Sequence, residues 1–179
     1  MLEKLRSRQR GFTLIELLIV VAIIGIIAAL LVPNFLDALQ KAKQKRTMGD
    51  QRDLGTAWMS WLTDQSAAAA AGQAQLNVSD WSGTGDRDSL AAQLVDTYIQ
   101  EVPDLDGWKN SYTYRFCDFD PCNPLSAPKA FLVHSGGRDG SAAGAFTFGS
   151  FEPTAYDEDL IWADGFFLRW PEGQRTGTN

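Results

Sequence analysis

The segment Gly11-Phe12-Thr13-Leu14-Ile15-Glu16 leads directly into sixteen uninterrupted apolar residues, Leu17 to Val32. The stretch from Phe12 to Val32 has 21 residues, and as a helix it would be about 31 Å long. The hydrocarbon core of a bilayer is about 30 Å thick, so this stretch predicts one membrane-spanning helix.

One acid, Glu16, interrupts this apolar stretch. A carboxylate in the hydrocarbon region costs roughly 2.5 to 3.5 kcal/mol on insertion scales, so such a residue is a functional candidate that needs a partner. If the chain were cut between Gly11 and Phe12, the new amine would lie four residues from Glu16, about 6 Å along a helix axis. The two charges could pair within one helix, or between neighbouring subunits, where they would fix the stagger.

The residues from Gly11 to Ala28, GFTLIELLIVVAIIGIIA, follow a short basic leader. This pattern resembles the class III signal of type IV pilins and type II secretion pseudopilins. The resemblance implies that a prepilin peptidase cuts after Gly11 and methylates the amine of Phe12, and that Glu16 and Thr13 act in assembly. The alternative is an uncleaved signal anchor with an isolated acid, which leaves the coincidence of these residues with an unbroken apolar run unexplained.

The charges around the apolar stretch predict its orientation. Basic residues outnumber the single acid ahead of the stretch, so the positive-inside rule places the N-terminus in the cytoplasm and exports the rest. A second basic group opposes this orientation, but it begins more than two turns past Val32. The first group is Lys4, Arg6, Arg8 and Arg10 against Glu3, and the second is Lys41, Lys43, Lys45 and Arg46.

Removal of the leader would lower the formal net charge from −6 to −9, because four basic residues and one acid are lost. Phosphate binding relies on Lys and Arg, so this acidic balance argues against nucleic acid as the main partner. The predicted localisation is the inner membrane, with a single pass, a cytoplasmic N-terminus and a periplasmic head.

The predicted fold is α+β and pilin-like, with a long N-terminal helix whose amphipathic half packs on a small antiparallel sheet. Four segments are expected: a cleaved leader (1–11), a transmembrane and assembly helix (12–33), an amphipathic continuation (34–64) and a globular head (65–179). The continuation rests on apolar residues at spacings of three and four, which form one helical stripe. They are Leu36, Leu39, Leu54, Ala57, Trp58, Trp61 and Leu62. The charged stretch 41–52 is expected to be more exposed, and the connection 65–85 contains alanines that could extend the helix.

Within the head, a second helix is expected from Asp88 to Gln100, packed beside the first. Alternation then predicts antiparallel strands around 112–116 and 131–134. Asp164-Gly165 separates two apolar runs and predicts a two-residue hairpin, since both residues tolerate positive φ. One face of this hairpin must cover the helix, and the face carrying Trp162 and Phe167 is expected to contact another subunit.

Cys117 and Cys122 are the only cysteines. Export to an oxidising compartment favours a short-loop disulfide, worth roughly 2 kcal/mol by loop-entropy estimates. The alternatives are two free thiols or, with His134 as the only histidine and no zinc-knuckle spacing, a less favoured zinc site.

Two acid-bearing loops, 136–140 and 157–159, could supply the oxygen ligands that Ca²⁺ requires. The pattern alone favours solvated turn acids. However, residues 103–114, 135–140 and 157–160 are similar to the C-terminal region of the major pseudopilin of type II secretion. That resemblance implies a structural calcium held by Asp139, Asp157 and Asp159, although the longer segment 141–156 and the cysteine loop depart from the family pattern.

Catalysis finds little support in the sequence. His134 and Ser135 are adjacent on a predicted strand and point to opposite faces, so they cannot act as base and nucleophile. The predicted function is a structural, non-enzymatic subunit of a type II secretion pseudopilus, polymerising with its own copies and with other pseudopilins or pilins. Its further partners would be membrane lipid, the peptidase and an inner-membrane assembly platform. The alternatives are a type IV pilus subunit and a membrane-anchored periplasmic ligand-binding protein.

Overall fold

The computed structural model describes residues 11–73, 83–85, 87–118, 129–141 and 147–173. The chain divides into two compact units at Leu39/Gln40. Helix α1, Leu14–Ala70, contributes residues to both units. The other elements belong to the second unit and confirm the α+β class. They are β1 (Gly83–Gly85), α2 (Arg87–Leu94), β2 (Thr113–Asp118), β3 (Lys129–Ser135), β4 (Gly149–Phe151), β5 (Leu160–Ala163) and β6 (Phe166–Pro171).

Helix α1 ends at Ala70, six residues beyond the expected end near Asp64. The alanine run continues the helix because alanine has the highest helix propensity. The end is a Schellman motif: Gly72 has φ 73°, its N–H donates to Ala69 O and Gln73 N–H donates to Ala68 O. Glycine takes this left-handed position without steric cost.

The strands form one six-stranded sheet in the order β1-β2-β3-β5-β6-β4. The predicted antiparallel pairing of β2 with β3 is confirmed. So is the β5–β6 hairpin, where Asp164 has φ 44° and Gly165 has φ 104°. The sequence did not predict β1 or β4, two three-residue strands without an alternating pattern.

One face of the sheet packs on α1 and forms the main core. Trp162 and Phe167 belong to this core, so the expectation that they face another subunit is wrong. The reason lies in α1, where a Cβ at Gly55 would meet the Trp162 ring at 2.1 Å. The missing side chain leaves room for the indole, and the Arg52 guanidinium lies 5.7 Å from the centre of the Phe167 ring.

Helix α2 is shorter than predicted and ends at Leu94. Asp96 takes a left-handed conformation, φ 71°, which an α-helix cannot continue through. Leu90 and Leu94 are fully buried in the same core as α1. Tyr98 also contacts α1 through a 2.8 Å hydrogen bond from its hydroxyl to Asp64, which confirms the predicted packing of the second helix beside the first.

The stretch 41–52 is not simply exposed, because three uncharged polar residues and Met48 within it are buried. Gln51 Nε2 donates to Val133 O and Leu160 O at 3.2 and 2.8 Å. Thr47 Oγ1 accepts a bond from Gly107 N at 2.9 Å. These bonds satisfy carbonyls and N–H groups that burial would otherwise leave unpaired. Gln44 completes this buried polar set.

Candidate assembly site

In the first unit, α1 exposes apolar side chains on every side. Side chains from Leu14 to Val32 that are large and apolar are between 48% and 81% exposed. A helix that is apolar on every side is normally shielded from water, either by lipid or by other helices. The apolar helix therefore favours anchoring in a membrane, and its surface is also available to other helices.

Glu16 lies in the first turn of α1 and closes a capping box with Thr13. Thr13 N and Thr13 Oγ1 donate to Glu16 Oε2 at 2.9 and 2.6 Å. In return, Glu16 N donates to Thr13 Oγ1 at 3.3 Å. In this motif the N-cap hydroxyl and the carboxylate three residues later satisfy N–H groups that the helix start leaves unpaired.

This local role of Glu16 was not predicted, because an acid in an apolar stretch suggested a cationic partner. In the uncut chain the nitrogen of Phe12 is a peptide amide, and Thr13 supplies the bonds to Glu16. The signal was present in the sequence as Thr-x-x-Glu ahead of an apolar run, which is a pattern of helix starts. Thr13 and Glu16, assigned together by resemblance, are thus in direct contact.

The peptide bond from Gly11 to Phe12 precedes the helix and lies in irregular backbone. Both residues are exposed. Among the described residues, no heavy atom beyond the chain neighbours lies within 4 Å of the Cβ position at Gly11. The packing of the described residues therefore does not require glycine here.

The two acid-bearing loops of the second unit are in direct contact. Arg138 N donates to Tyr156 O at 2.8 Å. Gly137 approaches so closely that a Cβ would meet Glu158 O at 2.7 Å. The Arg138 guanidinium forms two bonds with Asp157, at 2.7 and 2.5 Å, and holds the pKa of that carboxyl below its usual range.

The three proposed calcium ligands each have a different neighbour. Asp157 faces Arg138, Asp139 Oδ1 accepts a bond from Ser141 N at 2.9 Å, and buried Asp159 lies 3.1 Å from His134 Nε2. Among the described residues, no group of three carboxylate, imidazole or thiol side chains could hold a metal ion. As arranged here, the side chains do not fit a calcium cage, although the loops that would carry it meet.

His134 and Ser135 are both buried and have different partners. Ser135 Oγ donates to Asp106 Oδ2 at 2.7 Å. The other oxygen of this buried carboxylate accepts bonds from Trp108 N and Asn110 N. His134 faces Asp159, and burial lowers its pKa. As predicted, the two residues do not face each other as base and nucleophile, and Ser135 instead fixes the loop that contacts Thr47.

The cysteine pair lies mostly outside the described residues. The backbone of Cys117 is in β2 and pairs with Ala130 of β3. Its side chain, Cys122 and the basic leader before Gly11 are not among the described parts of the chain. The disulfide therefore stays a prediction.

Comparison with known proteins finds one sequence motif and several similar proteins. Residues 6–32 match the prokaryotic N-terminal methylation motif. The chain is 45% identical over 62 residues to the type IV major pilin protein PilA of Myxococcus xanthus, covering 35% of this chain and 28% of that protein. It is 37% identical over 90 residues to the type IV major fimbrial protein FimA of Dichelobacter nodosus, covering 49% and 58%. In each of these pilins the match spans less than two thirds of the relative.

A third relative matches over a longer region. The chain is 34% identical over 109 residues to the type II secretion system core protein G of Pseudomonas aeruginosa, covering 61% of this chain and 75% of that protein. A match of this length cannot be confined to the 70 residues that end with α1, so it includes part of the sheet-forming region. No solved structure matches the chain.

Proposed function

Since this chain belongs to the family of type IV pilins and type II secretion pseudopilins, we propose that it is a structural subunit of a type II secretion pseudopilus. The observation that carries the choice is the 109-residue similarity to a type II secretion core protein. A type IV pilus subunit is the second candidate, because the pilin PilA is more similar over its shorter, 62-residue match.

The proposed mechanism begins with an uncut precursor held in the inner membrane. In this state the Thr13–Glu16 capping box gives the carboxylate two donors within its own chain. Cleavage after Gly11 turns the nitrogen of Phe12 into an amine, and Glu16 then pairs with this cation in its own or a neighbouring subunit. Lateral packing of the exposed apolar side chains replaces lipid contacts, and the paired charges select the stagger.

The role we propose is structural and not catalytic. Membership in a family of filament subunits supports it. The partners proposed are copies of this chain, other pseudopilins, the prepilin peptidase and an inner-membrane assembly platform. Calcium binding by Asp139, Asp157 and Asp159 is a separate proposal that rests on the resemblance alone.

The intact mass of the chain isolated from membranes tests the processing step. We expect a mass that begins at Phe12 and carries one added methyl group. Gly11→Trp should leave the precursor uncut, while Gly25→Ala should be processed normally. At both positions the new Cβ has no heavy atom of the described residues within 4 Å beyond its own surroundings in the chain, so the contrast tests whether the residue at the cleavage position must be small. A native mass that begins at Met1 would contradict the proposal.

Electron microscopy separates the two filament types. A secretion pseudopilus is expected to stay short and periplasmic when the chain is made at its natural level. Long surface fibres at that level would instead favour the type IV pilus subunit.

A further inference from the structure

Helix α1 carries opposite charges on two flanks of its exposed side within the second unit. Lys41 and Lys45 are exposed and four residues apart, which defines a basic flank. Asp50 and Asp53 are three residues apart, which defines an acidic flank. Spacings of three and four place residues on the same side of a helix.

The two flanks lie on either side of an outward strip of α1. Each residue advances about 100° around the axis, so Lys45 and Asp50 are about 140° apart on the exposed side. The buried residues Gln44, Met48 and Gln51 occupy the other arc. Gly49 lies between the flanks, and within the described part of the chain no atom outside the helix lies within 4 Å of its Cβ position. A second helix could therefore approach this strip closely.

The acidic flank forms one wall of an open groove of about 560 Å³. The opposite wall is the segment 99–105. The groove has an excess of about two negative charges, because Arg87 lies 3.6 Å from Glu101 and offsets one more carboxylate. Four carboxylates and one guanidinium line the groove. These residues are Asp50, Asp53, Glu101 and Asp104, with Arg46, which lies 3.6 Å from Asp50. Leu105 adds an exposed apolar contact at the rim.

Burial disfavours the charged form of Asp50 in the isolated chain. Its side chain is half-buried, and burial raises its pKa despite the neighbouring Arg46 guanidinium and the hydrogen bond donated by the Tyr112 hydroxyl. A cation placed in the groove by a partner would offset this cost. The basic flank of another copy offers such a cation.

We propose that the basic flank of one copy docks in the acidic groove of the next copy, an inference that rests on the proposed filament function. The contact is heterologous, because different flanks meet, so it can be repeated along a filament. If two parallel α1 helices are shifted along their axes by about 12 to 14 Å, Lys45 of one copy lies opposite Asp53 of the next, and Lys41 lies opposite Asp50. The residues of these pairs are eight and nine positions apart in the sequence, and each position adds about 1.5 Å.

Charge reversal tests the docking in cells that assemble the wild-type chain into sedimentable filaments. We expect Lys45→Asp and Asp53→Lys each to reduce sedimented filament by about tenfold or more, because like charges then meet across the contact. The double variant should recover, since the exchanged charges pair again. Lys109→Asp, the same charge change on an exposed loop residue outside both flanks, should assemble normally.

A zero-length carbodiimide cross-link gives a second readout. Lys45 and Asp53 of one chain are about 12 Å apart along the axis, too far to be joined directly, so a Lys45–Asp53 cross-link must connect two copies. Normal assembly of both single variants, or no recovery in the double variant, would overturn the docking. Loss without recovery would indicate that the basic flank meets another surface, such as anionic lipid. Absence of filaments from the wild-type chain would instead count against the proposed function.

Discussion

The two portions of α1 use the same secondary structure for different purposes. From Leu14 to Leu39 the large apolar side chains are exposed in their own unit. From Gln44 to Trp58, by contrast, apolar and polar side chains are buried against the sheet and its loops. Gln51 and Thr47 even satisfy backbone groups of distant strands and turns.

The difference shows which portion of α1 stabilises the fold and which portion exposes apolar surface that lipid or another subunit can cover. Burial of apolar surface is the main favourable term in folding and in association. The second portion obtains it within the chain, whereas the first can obtain it only from lipid or from other subunits. Changes at the exposed apolar side chains of the first portion should therefore alter assembly without altering fold stability, and changes at the buried side chains of the second portion should alter fold stability.

The largest effect is expected at Glu16. Glu16→Ala should abolish filament assembly, because it removes both the charge and the capping carboxylate. Glu16→Gln keeps a residue that can complete a capping box but removes the charge. If pairing with the new amine drives assembly, Glu16→Gln should fail as completely as Glu16→Ala.

Tryptophan fluorescence of the full-length chain in detergent provides the control, because all six tryptophans lie beyond residue 40. Neither variant should shift the melting temperature that it reports. Normal filaments from Glu16→Gln would show that helix capping is sufficient and that the charge pair is not required.

The next largest effect is expected from a substitution that destabilises the folded portion of α1 and leaves its apolar portion unchanged. Gly55→Ala should destabilise the second unit by about 3 kcal/mol, because overpacking a core costs typically 1 to 3 kcal/mol. The added Cβ would lie 2.1 Å from the Trp162 ring. Thermal melting followed by tryptophan fluorescence measures the loss.

Gly49→Ala is the matched control, since Gly49 lies in the same helix with open space at its Cβ position. Alanine there should stabilise the chain by about 0.5 to 1 kcal/mol through helix propensity. Equal melting temperatures for the two variants would contradict the close packing of Trp162 on the helix.

These contrasts also show what the sequence could predict. The apolar run, the α+β class, the β2–β3 pairing and the Asp164-Gly165 hairpin depend on local patterns, and the structure confirms them. The orientation of Trp162 depends on a glycine more than 100 residues away in the sequence, and no local period encodes that distance. Burial of Thr47 and Gln51 was missed for the same reason, because their partners Gly107, Val133 and Leu160 are distant in sequence.

The sequence predicted some residues of the candidate site but not the contacts that they make. Resemblance assigned Thr13 and Glu16, and the structure adds the capping bonds that join them. For the acidic loops, the spacing of Asp139, Asp157 and Asp159 was visible but their neighbours were not. Arg138 lies in the loop 136–140, next to Asp139, yet its pairing with Asp157 depends on a contact between the two loops that spacing does not determine.

A smaller effect is expected at these loops. Calcium binding requires Asp157 to leave Arg138, so Arg138→Gln should enlarge any rise in melting temperature that calcium produces. A ligand stabilises only the state that binds it, in proportion to the logarithm of its concentration above Kd. Asp157→Asn should remove that rise. Identical melting with calcium and with EDTA in the wild type and in Arg138→Gln would show that these acids are solvated turn residues.

The smallest effect is expected at Asp50. Burial raises its pKa in the folded chain above the ordinary value of 3.8, so its contribution favours folding below that value and is lost as pH rises through the folded pKa. Asp50→Asn should therefore melt about 2 °C higher than the wild type at pH 7, and the difference should shrink at pH 3. Asp53→Asn, at an exposed position of the same flank, should change the melting temperature less. A lower melting temperature for Asp50→Asn at pH 7 would mean that the ion pair with Arg46 outweighs the cost of burying the Asp50 carboxylate. Asp50 would then stabilise the folded chain, and a partner's cation would not be needed to offset its burial.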